Sequence, residues 1–145
     1  MGETEKATGQ CLCGAVRFHA DKVGQSDVCH CGMCRRLNSG PAFAAEAQGL
    51  VWQGEENITV YKSSDFAERG FCSLCGTGLF YRLTGDMPSY TNINTFLLDD
   101  QSGLDLVTEI FVDEQPAWYA FAGERKRMTG EQVIAEFMSA QGAKD

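Results

Sequence analysis

The seven cysteines of this chain fall into three short groups with the spacing of metal ligands. The groups are Cys11-x-Cys13, Cys29-x-Cys31-x-x-Cys34 and Cys72-x-x-Cys75. Zinc takes four tetrahedral ligands, and thiolates are among the commonest of them. Because an odd number of cysteines leaves one thiol outside any complete set of disulfides, we interpret all seven as reduced metal ligands.

A partition of four plus three accounts for every sulfur. A pair from each of two distant segments makes a closed structural zinc site, and its predicted ligands are Cys11, Cys13, Cys72 and Cys75. The predicted ligands of a second, catalytic zinc are Cys29, Cys31 and Cys34. Three protein ligands with one open position are typical of a catalytic zinc, so we predict two zinc ions per chain.

Three other interpretations stay open on sequence alone. Cys31-x-x-Cys34 could join Cys72-x-x-Cys75 in a zinc ribbon, although the stretch between them exceeds the usual spacing of about 15–20 residues. Cys72-x-x-Cys75 could be a redox pair, although no βαβ pattern surrounds it. The three-cysteine group could be closed by a fourth ligand from elsewhere, Asp or Glu included. His30 points away from its neighbours in extended backbone and is expected at the surface.

Short strands and one C-terminal helix are expected to position these cysteines. Alternation of apolar and polar residues, with glycine-rich flanks, predicts strands at 15–19, 58–61, 78–83, 91–96 and 108–112. Thr129 and Gln132 form a capping box that predicts the start of the C-terminal helix. A shorter helix is expected at 35–38, after Cys34. The predicted class is mainly β.

Length, charge and hydropathy limit the classes of function. The chain has 145 residues, which predicts a single zinc-binding domain over 1–145 with a core of about 9–138. Its net charge of −8 repels phosphate backbones, so nucleic acid is not an expected partner. No apolar stretch is long enough to cross a bilayer, and residues 1–6 lack the apolar run of a secretory signal. We therefore expect a cytoplasmic protein without a membrane partner.

Three motifs resemble those of the glutathione-dependent formaldehyde-activating enzyme family, which also includes centromere protein V. They are GQCLCGAVRF at 9–18, CHCGMCR at 29–35 and RGFCSLCG at 69–76, with weaker matches in NTFLLDD at 94–100 and PAWY at 116–119. The resemblance implies a β-tent of small coiled antiparallel sheets, stapled by zinc in the same four-plus-three partition. Many members of the family carry a histidine where this sequence has Glu109.

The resemblance also implies a carbon–sulfur lyase that joins glutathione to formaldehyde as S-hydroxymethylglutathione. A zinc with three thiolate ligands is a weak Lewis acid, which favours activation of a substrate thiol over hydrolysis. Guanidinium groups bind carboxylates bidentately, so the candidate glutathione-binding residues are Arg35, Arg36 and Arg69. The alternative is a non-catalytic module that binds zinc or thiols.

Overall fold

A computed structural model describes residues 6–87 and 89–144 of the chain, with side chains as far as residue 139. Within them the chain forms twelve β-strands and two α-helices, which confirms the predicted mainly β class with a C-terminal helix. The strands are β1 (Ala7–Gln10), β2 (Arg17–Ala20), β3 (Lys22–Val23), β4 (Ser26–Cys29), β5 (Ala42–Gln48), β6 (Val51–Gln53), β7 (Ile58–Ser64), β8 (Ala67–Cys72), β9 (Gly78–Leu83), β10 (Thr91–Asn94), β11 (Leu106–Ile110) and β12 (Lys126–Met128). The helices are α1 (Gly32–Asn38) and α2 (Gly130–Lys144).

Two expectations from the sequence concern membrane-spanning helices and a secretory signal. Among the helices of the described residues, none combines the length and the apolar composition that a bilayer crossing requires. The expectation for a secretory signal concerns residues 1–6, and residues 1–5 lie outside the described part of the chain.

Two compact units divide the chain, and each is assembled from two separate segments. The first contains Met1–Gln25 and Ala44–Leu104, and the second contains Ser26–Phe43 and Asp105–Asp145. The four-cysteine group belongs to the first unit and the three-cysteine group to the second. The expectation of one domain over 1–145 stays a prediction.

The first unit is antiparallel throughout the strand pairs described here. Strand β2 lies between β1 and β6, and a larger sheet has the order β5-β10-β9-β8-β7, with β3 beside β5. Apolar side chains of these strands form one core, which includes Phe18, Leu79 and Ile93. The same core contains Cys11 and Cys72, each at most 1% exposed. The sheets therefore bring two distant cysteine pairs to one apolar interior.

The second unit contains a parallel sheet, which differs from the predicted antiparallel pairing. Strand β11 lies between β4 and β12 and runs parallel to both. Helix α1 follows β4 closely, so the three-cysteine group occupies the carboxyl end of β4 and the first turn of α1. Helix α2 begins with the predicted capping box, in which the Thr129 amide and the Gln132 side chain are 2.8 Å apart.

Two predicted strands end two residues early because a side chain or a turn interrupts them. The strand predicted to reach residue 96 ends at Asn94, whose Oδ1 accepts a hydrogen bond from the Phe96 amide and starts a 3-10 turn. The strand predicted to reach residue 112 ends at Ile110. Phe111 follows with a φ of 57°, in the left-handed region that extended strands do not use.

Candidate metal centres and the network beside them

The first unit brings the sulfurs of Cys11, Cys13, Cys72 and Cys75 within 4.8 Å of one another. The Cys11 and Cys13 sulfurs are 3.7 Å apart, and the Cys13 and Cys72 sulfurs are 3.9 Å apart. A tetrahedral zinc with Zn–S bonds of about 2.3 Å separates its sulfurs by about 3.8 Å. The spacing of these sulfurs therefore fits zinc, and the grouping excludes the zinc-ribbon interpretation.

Two glycine turns build this four-cysteine cluster. The Gly14 amide donates to the Cys11 carbonyl at 3.2 Å, and the Gly76 amide donates to the Cys72 carbonyl at 2.8 Å. Gly14 has a φ of 82° and Gly76 a φ of 83°, in the region where a Cβ is strained. Each glycine therefore lets the chain turn directly after a pair of sulfurs, as the spacing of the two motifs requires.

Thr77 connects the two turns, a contact that the cysteine spacing does not reveal. Its hydroxyl lies 3.1 Å from the Cys75 sulfur and accepts a hydrogen bond from the Leu12 amide at 3.1 Å. Hydrogen bonds from the Thr77 side chain and backbone lower the pKa of Cys75 to about 5. A thiolate is the form that binds metal, so Thr77 prepares this cluster for an ion.

The second unit brings together the sulfurs of Cys29, Cys31 and Cys34, again within 4.8 Å of one another. Among the described residues, no fourth Cys, His, Asp or Glu joins this cluster. Cys31 is the N-cap of α1, and its sulfur accepts a hydrogen bond from the Cys34 amide at 3.4 Å. The three-sulfur set has the donor chemistry of zinc and leaves one tetrahedral position without a ligand from the described residues.

Hydrogen bonds within the three-cysteine cluster favour a thiolate at Cys31. The thiols of Cys29 and Cys34 and the Cys34 amide lower the pKa of Cys31 to about 2. Hydrogen bonds with Cys31 and Cys34, and then burial, raise the pKa of Cys29. These hydrogen bonds favour the thiolate form of Cys31, which is the form that binds a metal ion.

His30 is fully buried, so its expected position at the surface is wrong. Its Nε2 lies 2.8 Å from Glu109 Oε1, and its Nδ1 lies 2.7 Å from the Tyr119 hydroxyl. The interior of the unit provides two polar partners for the ring, and they compensate the burial of its nitrogens. Both ring nitrogens are occupied, which leaves His30 no atom for a metal.

Glu109 is the centre of a buried charged network. Its side chain accepts hydrogen bonds from Arg125 Nη1 and Arg127 Nη1, each at 2.6 Å. Burial opposes ionisation, but the hydrogen bonds from Arg125 and His30 and the charge of Arg127 hold the pKa of Glu109 below its usual value. The carboxyl is therefore ionised at neutral pH and carries hydrogen bonds on both oxygens.

The hydrogen bonds around Glu109 close into a ring that reaches Tyr119 from two sides. Arg127 Nη2 donates to Gln115 Oε1 at 2.8 Å, and Gln115 Nε2 donates to the Tyr119 carbonyl at 2.9 Å. We call this set the Glu109 network: His30, Glu109, Gln115, Tyr119, Arg125 and Arg127. Two sequence signals point to this network: Glu109 stands where many members of the resembled family carry a histidine, and Arg125 and Arg127 are spaced two apart at the start of β12.

The predicted glutathione-binding arginines have different surroundings. Arg35 is half-buried, and its Nε donates to the His30 carbonyl at 2.8 Å, whereas Arg36 is exposed. Arg69 lies in the first unit on β8, where its guanidinium stacks 5.0 Å above the Tyr81 ring. The binding role of all three arginines stays a prediction.

Comparison with known proteins gives consistent matches. Residues 6–114 match the sequence model of a family described as glutathione-dependent formaldehyde-activating enzyme. An uncharacterised lyase of Schizosaccharomyces pombe is 33% identical over 129 residues, which cover 87% of this chain and 93% of that protein. A putative glutathione-dependent formaldehyde-activating enzyme of Halomonas elongata is 32% identical over 83 residues, which cover 50% of this chain and 53% of that protein.

A solved structure supports the same relationship at the level of the fold. The crystal structure of a Rhodobacter sphaeroides protein superposes with a TM-score of 0.55 and 28% sequence identity. The superposition covers 68% of this chain and 90% of the other. The match therefore includes nearly the whole of that smaller fold.

Proposed function

Because this chain belongs to the glutathione-dependent formaldehyde-activating enzyme family, we propose that it is a lyase-type enzyme that joins a thiol to a small aldehyde. The family resemblance predicted from the cysteine motifs is thereby confirmed. The proposed thiol is glutathione, the proposed aldehyde is formaldehyde, and the product is S-hydroxymethylglutathione. The observation that carries the proposal is the three-cysteine cluster without a fourth ligand among the described residues.

The proposed reaction forms one carbon–sulfur bond and moves one proton. The thiol sulfur attacks the carbonyl carbon, and the π electron pair of the C=O bond moves to the oxygen. The proton that leaves the sulfur ends on that oxygen, so no oxidant or reductant is required. The site must therefore generate a thiolate at neutral pH and hold it against the aldehyde.

Cys29, Cys31 and Cys34 are proposed to hold one zinc ion, and the four-cysteine cluster a second, structural one. Bound zinc supplies a positive charge that lowers the pKa of a thiol coordinated to it. The protein contributes the position of the three sulfurs, which the first turn of α1 and the buried His30 side chain stabilise.

The arginines beside the cluster are proposed to bind the carboxylates of glutathione. Arg36 is exposed at the surface of α1, so its guanidinium is accessible to a solvent-borne anion. Arg35 already donates through Nε to the His30 carbonyl, and its terminal nitrogens would bind a carboxylate from a fixed position. Charge complementarity between these arginines and the two carboxylates of the tripeptide supports glutathione over a thiol without carboxylates.

The test is exchange spectroscopy on an equilibrated mixture of formaldehyde and glutathione, with zinc-replete protein at trace concentration. A catalyst accelerates exchange between free and hydroxymethylated glutathione at substoichiometric amounts, in proportion to its concentration. The Cys31→Ser variant is the control and should not accelerate it. If the wild-type protein changes only the populations of free and hydroxymethylated glutathione, in proportion to the amount of protein added, it is a binding module and the enzymatic proposal fails.

A further inference from the structure

The carboxylate of Glu114 binds the backbone of the residue that follows Cys31. Its Oε1 accepts a hydrogen bond from the Gly32 amide at 2.8 Å. Glu114 is the last residue of a 3-10 turn, Val112–Glu114, which begins after Phe111. Phe111 has a φ of 57°, a region that is strained for a bulky side chain, and such strain recurs at functional sites. This turn therefore directs a carboxylate to the start of α1.

The guanidinium group of Arg35 stands next to the same glycine. A Cβ on Gly32 would lie 3.6 Å from Glu114 Oε1 and 3.7 Å from Arg35 Nη2. An acidic and a basic group therefore both lie within 4 Å of one point, which glycine leaves without a side chain. Among the described residues, the second oxygen of Glu114 and the terminal nitrogens of Arg35 have no hydrogen-bond partner.

Both charged groups are accessible and partly fixed in position. Glu114 is exposed and Arg35 is half-buried, so a ligand from solvent can reach them. The Gly32 amide holds Glu114 through one oxygen, and the His30 carbonyl holds Arg35 through Nε at 2.8 Å. A guanidinium group binds a carboxylate, and a carboxylate accepts hydrogen bonds from an ammonium group. The pair therefore fits a ligand that carries a carboxylate and an ammonium group on one carbon atom.

We propose that Arg35 and Glu114 together bind the α-amino acid head of the γ-glutamyl residue of glutathione, with the carboxylate on Arg35 and the ammonium group on Glu114. This inference rests on the proposed function and names the end of the thiol that the site recognises. A chain of roughly 8 Å joins this head to the sulfur of glutathione. Because Gly32 is the neighbour of Cys31, a thiol of this length with its sulfur at the cluster can place its head beside Gly32.

Glu114 sets specificity by repulsion as well as by attraction. The ammonium group of glutathione compensates the negative charge of Glu114 when the neighbouring carboxylate binds Arg35. A thiol with the same carboxylates and no ammonium group leaves that charge without a counter-charge, which weakens its binding. Glu114 is therefore a specificity-determining residue that favours glutathione over an acid of the same shape.

The experiment compares two thiols by titration calorimetry with the zinc-replete protein. One is glutathione, and the other is glutaryl-cysteinylglycine, which keeps the sulfur and both carboxylates and lacks only the ammonium group. The wild-type protein should bind glutathione about three- to tenfold more tightly, as one charge-assisted hydrogen bond at an exposed position gives. In Glu114→Gln this ratio should fall to about one. The amide oxygen of the new side chain can still accept from the Gly32 amide, so the start of α1 is retained.

Asp113→Asn is the matched control. Asp113 precedes Glu114 in the same 3-10 turn, and its Oδ1 accepts a hydrogen bond from the Gly130 amide at 2.8 Å, at the start of α2. The control removes the same charge one residue away and keeps the same kind of hydrogen bond. It should keep the wild-type ratio. An equal loss of the preference in both variants would reduce the role of Glu114 to a general charge effect and overturn the inference.

The wild-type comparison tests the inference without any variant. Equal affinity of the wild-type protein for the two thiols would overturn it and leave glutathione as the proposed substrate. A preference that persists in Glu114→Gln would overturn it as well, even where both thiols bind more weakly, because the residue would then act only through the position of α1. If the wild-type protein binds neither thiol, the proposed function fails too.

Discussion

The two cysteine clusters use the same side chain in opposite surroundings. The four-cysteine cluster has a full tetrahedral set, and two of its sulfurs belong to the apolar core of the first unit. The three-cysteine cluster comes from one short segment and lies beside the charged Glu109 network of the second unit. Ligand number and surroundings, rather than residue type, distinguish a site suited to structure from one suited to chemistry.

The largest expected effect is the loss of the fold in Cys72→Ser. Cys72 is fully buried in the core, and a structural zinc contributes folding free energy of about 10 kcal/mol or more in small domains. The variant should aggregate or lose its thermal transition, measured by circular dichroism and by zinc content.

Cys31→Ser is the matched control for that comparison. It should keep a cooperative transition and the zinc of the four-cysteine cluster, while the second ion and the activity are lost. Collapse of Cys31→Ser with a stable Cys72→Ser would show that the structural and catalytic roles are reversed.

Glu109→Gln should lower the free energy of unfolding by about 3 kcal/mol. The change leaves Arg125, whose side chain is only 12% exposed, without its carboxylate, and breaking a buried pair has a cost of this size. The lowered pKa of Glu109 means that its contribution is complete above the unfolded value near 4.5 and is lost as pH falls through the folded value. The difference in the free energy of unfolding between the wild-type protein and Glu109→Gln, measured by chemical denaturation, should therefore be smaller in acid than at neutral pH.

The exposed Lys126–Glu136 pair provides a control with the same chemical change. Its side chains are 57% and 62% exposed, so Glu136→Gln should change stability little at any pH. An equal effect of the two substitutions would mean that the Glu109 network adds no more than a surface pair does.

The clusters should also differ in how firmly they hold zinc. The protein expressed with excess zinc should contain close to two ions per chain. A mild chelator should remove the ion of the three-cysteine cluster about tenfold faster than the ion of the four-cysteine cluster, because three protein ligands bind zinc less firmly than four. Chelator absorbance during the titration gives both rates. A single ion per chain after zinc-replete expression would contradict the second site.

The smallest effects are expected for the two arginines of α1. Arg36→Ala should raise the KM for glutathione about three- to tenfold and leave kcat unchanged, because an exposed carboxylate contact binds ground and transition states alike. Arg35→Ala should change both constants, since it also removes the hydrogen bond to the His30 carbonyl. Steady-state kinetics at varied glutathione concentration distinguish the two variants. Identical effects of Arg36→Ala and Arg35→Ala would mean that neither residue supports the cluster.

Local signals in the sequence were sufficient to predict the cysteine motifs, the start of α2 and five of the strands. The spacing of cysteines within each motif, the glycines that follow Cys13 and Cys75, and the capping box of α2 depend on neighbours in the chain. Five alternating segments became strands, although β10 and β11 ended early where Asn94 and Phe111 turn the backbone.

The sequence by itself determined the mainly β class, the family and the grouping of seven cysteines into short motifs, because these depend on local spacing. Only the tertiary structure decided the parallel sheet of the second unit, the burial of His30 and the ring of hydrogen bonds from Glu109 to Tyr119. The partners in that ring come from β11, β12 and two connecting segments. Their contacts depend on strand pairing between distant parts of the chain, which periodicity in one segment does not encode.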